Sequence, residues 1–336
     1  ATSYWNSAPM QAKALVMPGS TAEVADVLRA CHGRGQTVIT QGGLTNCVAA
    51  VEPSLDDVVL STEKMTGIVE IDRIGGTAVV EAGAVLQNVQ EAVAKEGMYF
   101  PLDLGARGSC TIGGNIATNA GGINVLRYGM MRNLVLGLEA VLADGTVVSS
   151  LNRMLKNNAG YDVKQLFIGT EGTLGVVTRA IVRLFPQPAT RQDAIVGLAD
   201  FDSVIAFLNR LQQQLAGGLS AFEIMWGDYY HAVTGDGGHR PPLPRDYPLY
   251  VVLQAEGGDP DADEQRFESV LAAALEDEVI LDAVIPKSGT EAREVWAIRE
   301  DFEEILAPEP VYLYDVSLPI RAMADYVSRV RSSVRE

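Results

Sequence analysis

The amino-acid sequence predicts an α+β protein of two domains, on three observations. A length of 336 residues is about that of two average folding units. The pattern changes at "PQP", residues 186–188. Before it, short strands and glycine-rich turns dominate; after it, strands alternate with amphipathic helices. The composition, 47% hydrophobic and 21% charged, is ordinary for a soluble globular chain and supplies apolar residues enough for a sizeable core.

The first domain, 1–186, opens as strand, helix, strand. Ala14 to Met17 is a short apolar strand that stops at Pro18-Gly19. "STAE" at 20–23 is a capping-box pattern, and Val24, Val27, Leu28 and Cys31 then share one helical face. Gly33 and Gly35 end that helix, and 37–40 is the next strand. Further strands are expected at 58–61, 67–71, 78–82, 136–142 and 176–184, with one helix at 86–95. "ADGTVV" at 143–148 marks a hairpin.

The second domain, 187–336, begins with a strand at 194–198. A helix follows, with Ser203 as its cap and Val204, Phe207, Leu208, Leu211 and Leu215 on one face. Strands are predicted at 219–225, 250–254, 279–285 and 311–318. Helices are predicted at 261–275 and 290–306, and a last one after Pro319. This order implies helices on one face of a sheet.

Composition excludes several function classes. The longest apolar runs, such as 195–198 and 249–253, are far too short to span a bilayer. "ATSYWNSAPMQAKALVM" lacks a basic start and an apolar h-region, so neither a signal peptide nor a transmembrane segment is read and a cytoplasmic protein is expected. Cys31, Cys47 and Cys110 have no paired or metal-like spacing and are expected as reduced, buried thiols. A formal charge of −17 argues against nucleic acid. A small anion in a locally positive pocket stays open.

Four glycine-rich segments crowd the first domain: "QGGLTN" (41–46), "GARGSCTIGG" (105–114), "NAGG" (119–122) and "GTEGTLG" (169–175). Each alone reads equally well as a tight hairpin. Together they offer many backbone N–H groups, which is what a pyrophosphate needs. They are not a dinucleotide fingerprint of the doubly wound kind, because no G-x-G-x-x-G joins the first strand to its helix. They are not a P-loop either, since no Lys-Ser or Lys-Thr follows a G-x-x-x-x-G. A long ligand touching several loops suits FAD better than ATP.

"VITQGGLTN", "PLDLGARGSCTIGGNIATNAGGINVLRYG", "VLADGTVV" and "GYDVKQLFIGTEGTLGVVTRA" strongly resemble the PCMH-type FAD-binding domain of the vanillyl-alcohol-oxidase flavoproteins. "LSAFEIM", "VWAIRE" and "YDVSLP" resemble the substrate (cap) domain of its D-2-hydroxyglutarate and D-lactate dehydrogenase branch. The resemblance runs nearly the whole chain, in order. It implies two small α+β subdomains around FAD, then an α+β cap with an antiparallel sheet.

Residue by residue, the resemblance makes Gly42, Gly43, Leu44, Thr45 and Asn46 the pyrophosphate loop. It lays Pro101, Leu102, Gly105, Ser109, Gly113, Gly114, Thr118, Asn119, Gly121 and Gly122 along the isoalloxazine and ribityl parts. Glu171, Gly175 and Val176 fall on the adenine side. No His lies in these loops, so the FAD is expected to be non-covalent, although Cys47 and Cys110 are adjacent. Arg299 corresponds to the arginine that clamps the substrate carboxylate; from the residues alone it is equally a solvated arginine beside acidic neighbours.

The positions matching Glu303 and Leu313 commonly carry a hydroxyl residue and a lysine in the hydroxyglutarate branch, where they hold a distal carboxylate. A glutamate and a leucine here point to a D-2-hydroxy acid with a shorter or apolar tail. His32 reads as a helix-end cation, and His231 and His239 as surface residues in a loop-rich stretch. The family's "GHxGDGNxH" metal motif, and the Glu-His that takes the hydroxyl proton, have no match here; they are expected beyond residue 336. The chain is thus expected to be a fragment or the ordered part of a longer one. No metal ligand is assigned within it, and a zinc-like divalent ion is expected only with that motif. The implied activity is FAD-dependent oxidation of a D-2-hydroxy acid. An FAD-binding module without activity, and a same-fold oxidase of another alcohol, remain alternatives. The electron acceptor stays open among oxygen, a quinone and an electron-transfer flavoprotein, and a homodimer is the assembly to test.

Overall fold

The structure, a computed structural model, describes residue 6, residues 8–306 and residues 314–335. Its elements run in chain order as β1 (Ala14–Val16), α1 (Thr21–His32), β2 (Val38–Gln41), β3 (Val58–Ser61), β4 (Ile68–Asp72), β5 (Thr77–Glu81), α2 (Leu86–Lys95), β6 (Met98–Tyr99), α3 (Ile112–Ala117), α4 (Val125–Tyr128), α5 (Met131–Leu134), β7 (Val135–Val141), β8 (Val147–Ser150), β9 (Val176–Arg183) and β10 (Phe185–Pro186). The second part continues with β11 (Thr190–Leu198), α6 (Phe201–Gln214), β12 (Leu219–Trp226), α7 (Gly227–Val233), β13 (Leu249–Gly257), α8 (Pro260–Glu276), β14 (Asp282–Val284), α9 (Gly289–Glu300), α10 (Glu303–Leu306) and α11 (Met323–Arg335). Two compact units divide the chain, Ala1–Pro188 and Ala189–Glu336.

The first unit holds two main sheets, besides the short antiparallel pair of β6 with β10. β1, β3 and β2 form a small parallel sheet, and β4-β5-β9-β7-β8 a larger antiparallel one. α1 joins them. Val24, Ala25 and Leu28 pack with Leu60 and Met65 on one side and with Val141 and Val176 on the other. At its start, the Thr21 hydroxyl donates to Glu139 Oε1 on β7 at 2.7 Å. Ser20 is the N-cap as the sequence predicts, accepting from Glu23 N–H at 3.2 Å, while Glu23 Oε2 accepts from Gly19 N–H. Leu86, Val89 and Val93 of α2 and Ile112 and Ile116 of α3 cover the larger sheet. The "ADG" hairpin forms as read, with Gly145 at φ 83° between β7 and β8.

Three short helices, α3 to α5, lie where no helix is predicted. Paired glycines hide α3, because each costs about 1 kcal/mol against alanine in a helix. Tertiary contacts described below restore that cost. The cysteines also differ from expectation. Only Cys110 is buried; Cys31 lies half-buried on the last turn of α1, and Cys47 is exposed beyond the loop that follows β2.

In the second unit β12-β13-β11-β14 make one antiparallel sheet. Helices cover both faces, not one. α6 and α8 bury Val204, Phe207, Leu211, Phe267 and Val270 against Val196, Leu198, Val251 and Leu253. α7 and α9 bury Tyr230, Val233, Val295 and Ile298 against Ile195, Met225, Tyr250 and Val252. The unbroken apolar runs of β11 and β13 are the sequence signal for two covered faces.

Three predicted elements change. The 290–306 helix breaks at Asp301 into α9 and α10, and only 282–284 of the strand at 279–285 forms. Of the strand at 311–318, residues 314–318 carry no strand, and the rest lies outside the described residues. The cap of α6 is Asp200, not Ser203: Asp200 Oδ1 accepts from the Ser203 N–H and hydroxyl, each at 2.7 Å.

These two bonds hold the Asp200 carboxyl below the usual carboxylate range, the backbone one foremost. A lowered folded pKa contributes stability above the unfolded value and loses it as pH falls through the folded one. Asp200→Ala should therefore cost about 1 kcal/mol at neutral pH. Chemical denaturation should show the gap from the parent chain closing as the carboxyl protonates.

Candidate functional site

The glycine-rich segments of the first unit meet backbone on backbone. A Cβ on Gly43 would lie 2.1 Å from Ser109 O, and one on Gly42 2.5 Å from Thr111 Oγ1. The 41–46 loop is thus pressed onto the turn that leads into α3. A Cβ on Gly113 would meet Ala82 Cβ at 2.7 Å, and one on Gly122 would meet Asp103 O at 2.0 Å. The hairpin 169–175 is bonded to the end of α3: Gly169 N–H donates to Ile116 O and Glu171 N–H to Ala117 O. Those bonds satisfy carbonyls that a six-residue helix otherwise leaves open. At its other end Thr111 caps α3, its Oγ1 accepting from Gly114 N–H at a long 3.4 Å.

Among the described residues, the loop after β2 leaves its amides open, as do Leu102 to Ala106 farther along the chain. None of the N–H groups of Gly42, Gly43, Leu44, Thr45 and Asn46 donates to an acceptor among the described residues. Asn46 Oδ1 is also buried and without a partner there. In this half-exposed loop, five consecutive open donors are available to acceptors from outside the chain. A pyrophosphate fits this loop, and the Asn46 oxygen fits a hydroxyl or amine donor beside it.

Backbone strain falls on the same segments. Leu44 has φ 56°, Asn119 φ 50° and Glu171 φ 52°. They are the non-glycine residues of the first unit with left-handed backbone, among those described, and each sits in a different glycine-rich segment. For leucine this conformation is a genuine outlier, and such strain gathers where ligands are held.

Several other expected residues play parts the sequence does not show. Leu102 and Val176 are buried core side chains, and Pro101 O accepts from the Asn124 amide. Gly113 N–H is committed to Ala82 O at 2.7 Å. The Thr118 hydroxyl bonds Gly114 O. Asn119 Oδ1 accepts from Arg132 N–H at 2.9 Å. Gly121 and Gly122 have N–H groups with no acceptor among the described residues. Gly105 and Ser109 are exposed, and Gly175 is closed in by Val141 O and the Phe167 ring.

Arg132 is a residue sequence reasoning missed. Its guanidinium donates to Gln165 O and Oε1 and to Ile168 O, fixing the turn ahead of the 169–175 hairpin. A single cation between buried Met131 and Leu134 was the available signal.

In the second unit Arg299 lies on the last turn of α9. Its Nε and Nη2 both reach Glu223 Oε2 on β12, at 2.8 and 2.6 Å. The end of α9 is held by Tyr229, whose hydroxyl is 2.8 Å from Ile298 O and slightly farther from Arg299 O and Asp301 O. Burial pushes the Tyr229 phenol up to about 12, against the opposing effect of Arg299, so it stays a donor at neutral pH. Trp296 Nε1 and Gln254 Nε2 both donate to Asp193 Oδ1, extending a polar strip on this sheet face. His231 lies exposed on α7 and not in a loop, and His239 Nε2 contacts Asp301 Oδ2 at 2.9 Å. Glu303 is exposed, and Leu313 lies outside the described residues. Among the described residues no group of three or more His, Cys, Asp and Glu is placed to hold a metal ion, and no helix is long and apolar enough to cross a membrane.

Two family models match the chain. Residues 12–150 match the FAD binding domain, and residues 187–336 match the C-terminal domain of FAD linked oxidases. The chain is 40% identical over 321 residues to "D-2-hydroxyglutarate dehydrogenase, mitochondrial" of Bos taurus, covering 95% of this chain and 59% of that protein. It is 34% identical over 335 residues to "D-2-hydroxyglutarate dehydrogenase" of Xanthomonas citri pv. viticola, covering 100% of this chain and 70% of that one. It thus spans about three fifths of the length of the mammalian relative. An alkyldihydroxyacetonephosphate synthase structure shares the fold, at TM-score 0.66 and 20% identity over 86% of this chain and 55% of that one. The Bos taurus relative, like those of Rattus norvegicus and Danio rerio, is named as mitochondrial, which overturns the expectation of a cytoplasmic protein. The chain belongs to the FAD-linked oxidase family and joins that family's FAD binding domain to its C-terminal domain.

Proposed function

We propose that this chain serves a FAD-dependent dehydrogenase that oxidises a D-2-hydroxy acid to the 2-oxo acid. The observation that carries the reading is the run of open N–H groups from Gly42 to Asn46. In this reading they hold the pyrophosphate of FAD, with the Thr45 hydroxyl beside them. The segments around Gly105, Ser109, Gly121 and Glu171 follow the rest of the cofactor. FAD, when bound, supplies the acceptor for the hydride that leaves C2 of the substrate.

The residues assigned here supply the cofactor loop and the carboxylate clamp; the base that takes the hydroxyl proton is not among them. Arg299 takes the substrate carboxylate, for which a planar, permanently charged guanidinium is suited. The tether is non-covalent. Burial raises the Cys110 thiol above its ordinary value, which keeps it protonated and poorly nucleophilic, and no histidine lies in the loops. The relatives named as D-2-hydroxyglutarate dehydrogenases support a 2-hydroxy acid as the substrate class. Glu303, exposed as it is, argues for a tail without a second carboxylate only through the repulsion of like charges.

Two measurements test this reading. Gly43→Ala should weaken FAD binding by about tenfold or more, because the new methyl meets the Ser109 carbonyl, a backbone atom that cannot step aside. Gly258→Ala, where a Cβ meets nothing within 4 Å, is the control and should bind FAD as the parent does. Equal flavin retention by both variants would falsify the loop assignment. In the second measurement, flavin absorbance is followed without oxygen as D-lactate, D-2-hydroxybutyrate and D-2-hydroxyglutarate are added to the FAD-loaded protein. Bleaching fastest with a monocarboxylate is the expected result. Preference for hydroxyglutarate contradicts the tail assignment, and no bleaching with any acid favours a non-catalytic FAD module.

A further inference from the structure

Arg299 is held at two points, and the second is unusual for a residue meant to bind a substrate. Its backbone is fixed where Tyr229 closes the carbonyls at the end of α9. Its side chain is fixed where Glu223 Oε2 accepts from both Nε and Nη2. A guanidinium has five N–H donors, and this contact uses one edge, leaving both N–H groups of Nη1 and one of Nη2. Among the described residues no other acceptor holds the Arg299 guanidinium. The remaining Nη1–Nη2 edge is a two-pronged donor with the spacing of a carboxylate.

Glu223 is well placed to set that direction. It lies within β12, opposite Val252 of the central strand β13, so its Cα cannot drift. Its neighbours on the same sheet face are Met225 and Val252, both packed core residues. The pair is neither dry nor open, with 35% of the Arg299 side chain and 23% of the Glu223 side chain exposed. Losing the partner therefore leaves a guanidinium that water can still solvate, and the fold should survive.

We propose that Glu223 is a positioning residue that fixes the Nε edge of Arg299, so that its Nη edge meets the carboxylate of the 2-hydroxy acid. This inference rests on the reading of Arg299 as the carboxylate clamp. Without Glu223, a long side chain with free rotamers must be ordered each time a substrate binds. With it, that ordering is complete beforehand. Glu223 also neutralises the empty clamp, which becomes singly negative when occupied, and this favours release of the anionic product.

The test uses the FAD-loaded protein and isothermal titration of D-lactate, D-2-hydroxybutyrate and D-2-hydroxyglutarate. Thermal midpoints are recorded alongside. Glu223→Ala should raise Kd about ten- to thirtyfold, the scale of a long side chain's rotamer entropy, with the midpoint unchanged. Glu223→Gln keeps an oxygen at the same reach and removes the negative charge, so it should bind as tightly as the parent or more so. Glu223→Asp keeps the charge and loses the reach, so it should bind as weakly as Glu223→Ala. If Glu223→Ala does not fold, the Gln and Asp variants decide. Equal affinities for those two overturn the proposal, as does a lower midpoint in Glu223→Asp with unchanged Kd. Arg299→Met separates the two levels. If it abolishes binding while every Glu223 variant binds normally, only the positioning inference fails. If Arg299→Met binds normally, or the parent binds none of the acids, the clamp reading itself fails.

Discussion

The close approach of two backbone segments, Gly42-Gly43 against Ser109–Thr111, is the constraint on which the candidate cofactor site depends. The separation is so short that no side chain could stand at Gly43. It holds the loop after β2 in a shape where Leu44 takes left-handed backbone and five successive N–H groups donate to no acceptor among the described residues. A loop free to relax would pair those groups or adopt an ordinary φ. Packing elsewhere opposes the strain: α3 is capped by Thr111, bonded at its end by the 169–171 turn, and buried through Ile112 and Ile116. Arg132 braces the same turn from behind.

This arrangement explains the glycines of 110–122 differently from what their spacing implies. Gly113 is needed because α3 lies on β5, close to Ala82, and Gly122 because its chain turns with φ 92° against Asp103 O. Both serve contacts within the protein. In the proposed site their part is indirect, through the position of α3 beside the 41–46 loop.

Much of the fold was legible because it follows local rules. Ser20 with Glu23, the Asp-Gly hairpin, the periodic faces of α1, α2 and α6, and the change of pattern near "PQP" each carry their own signal. What stayed hidden depends on contacts far apart in sequence. α3 is stabilised by residues 111 and 169–171 and not by its own propensity. The second helical layer of the cap sheet shows only in the unbroken apolar runs of β11 and β13, which a strand reading treats as one buried face. The break at Asp301 follows from Tyr229, some seventy residues earlier, competing for the carbonyls of α9. At the candidate site, Arg299 was visible through family resemblance. Glu223 was not, since a glutamate within a strand reads as surface until its partner is seen.

Amide hydrogen–deuterium exchange of the protein with and without FAD tests the central claim most directly. In the absence of FAD the amides of Gly42 to Asn46 should exchange quickly, because they donate to no acceptor among the described residues. On flavin binding they should become the most strongly protected new group in the first unit. Flavin bound at full occupancy, with those amides exchanging as fast as before, would contradict the assignment of this loop to the pyrophosphate.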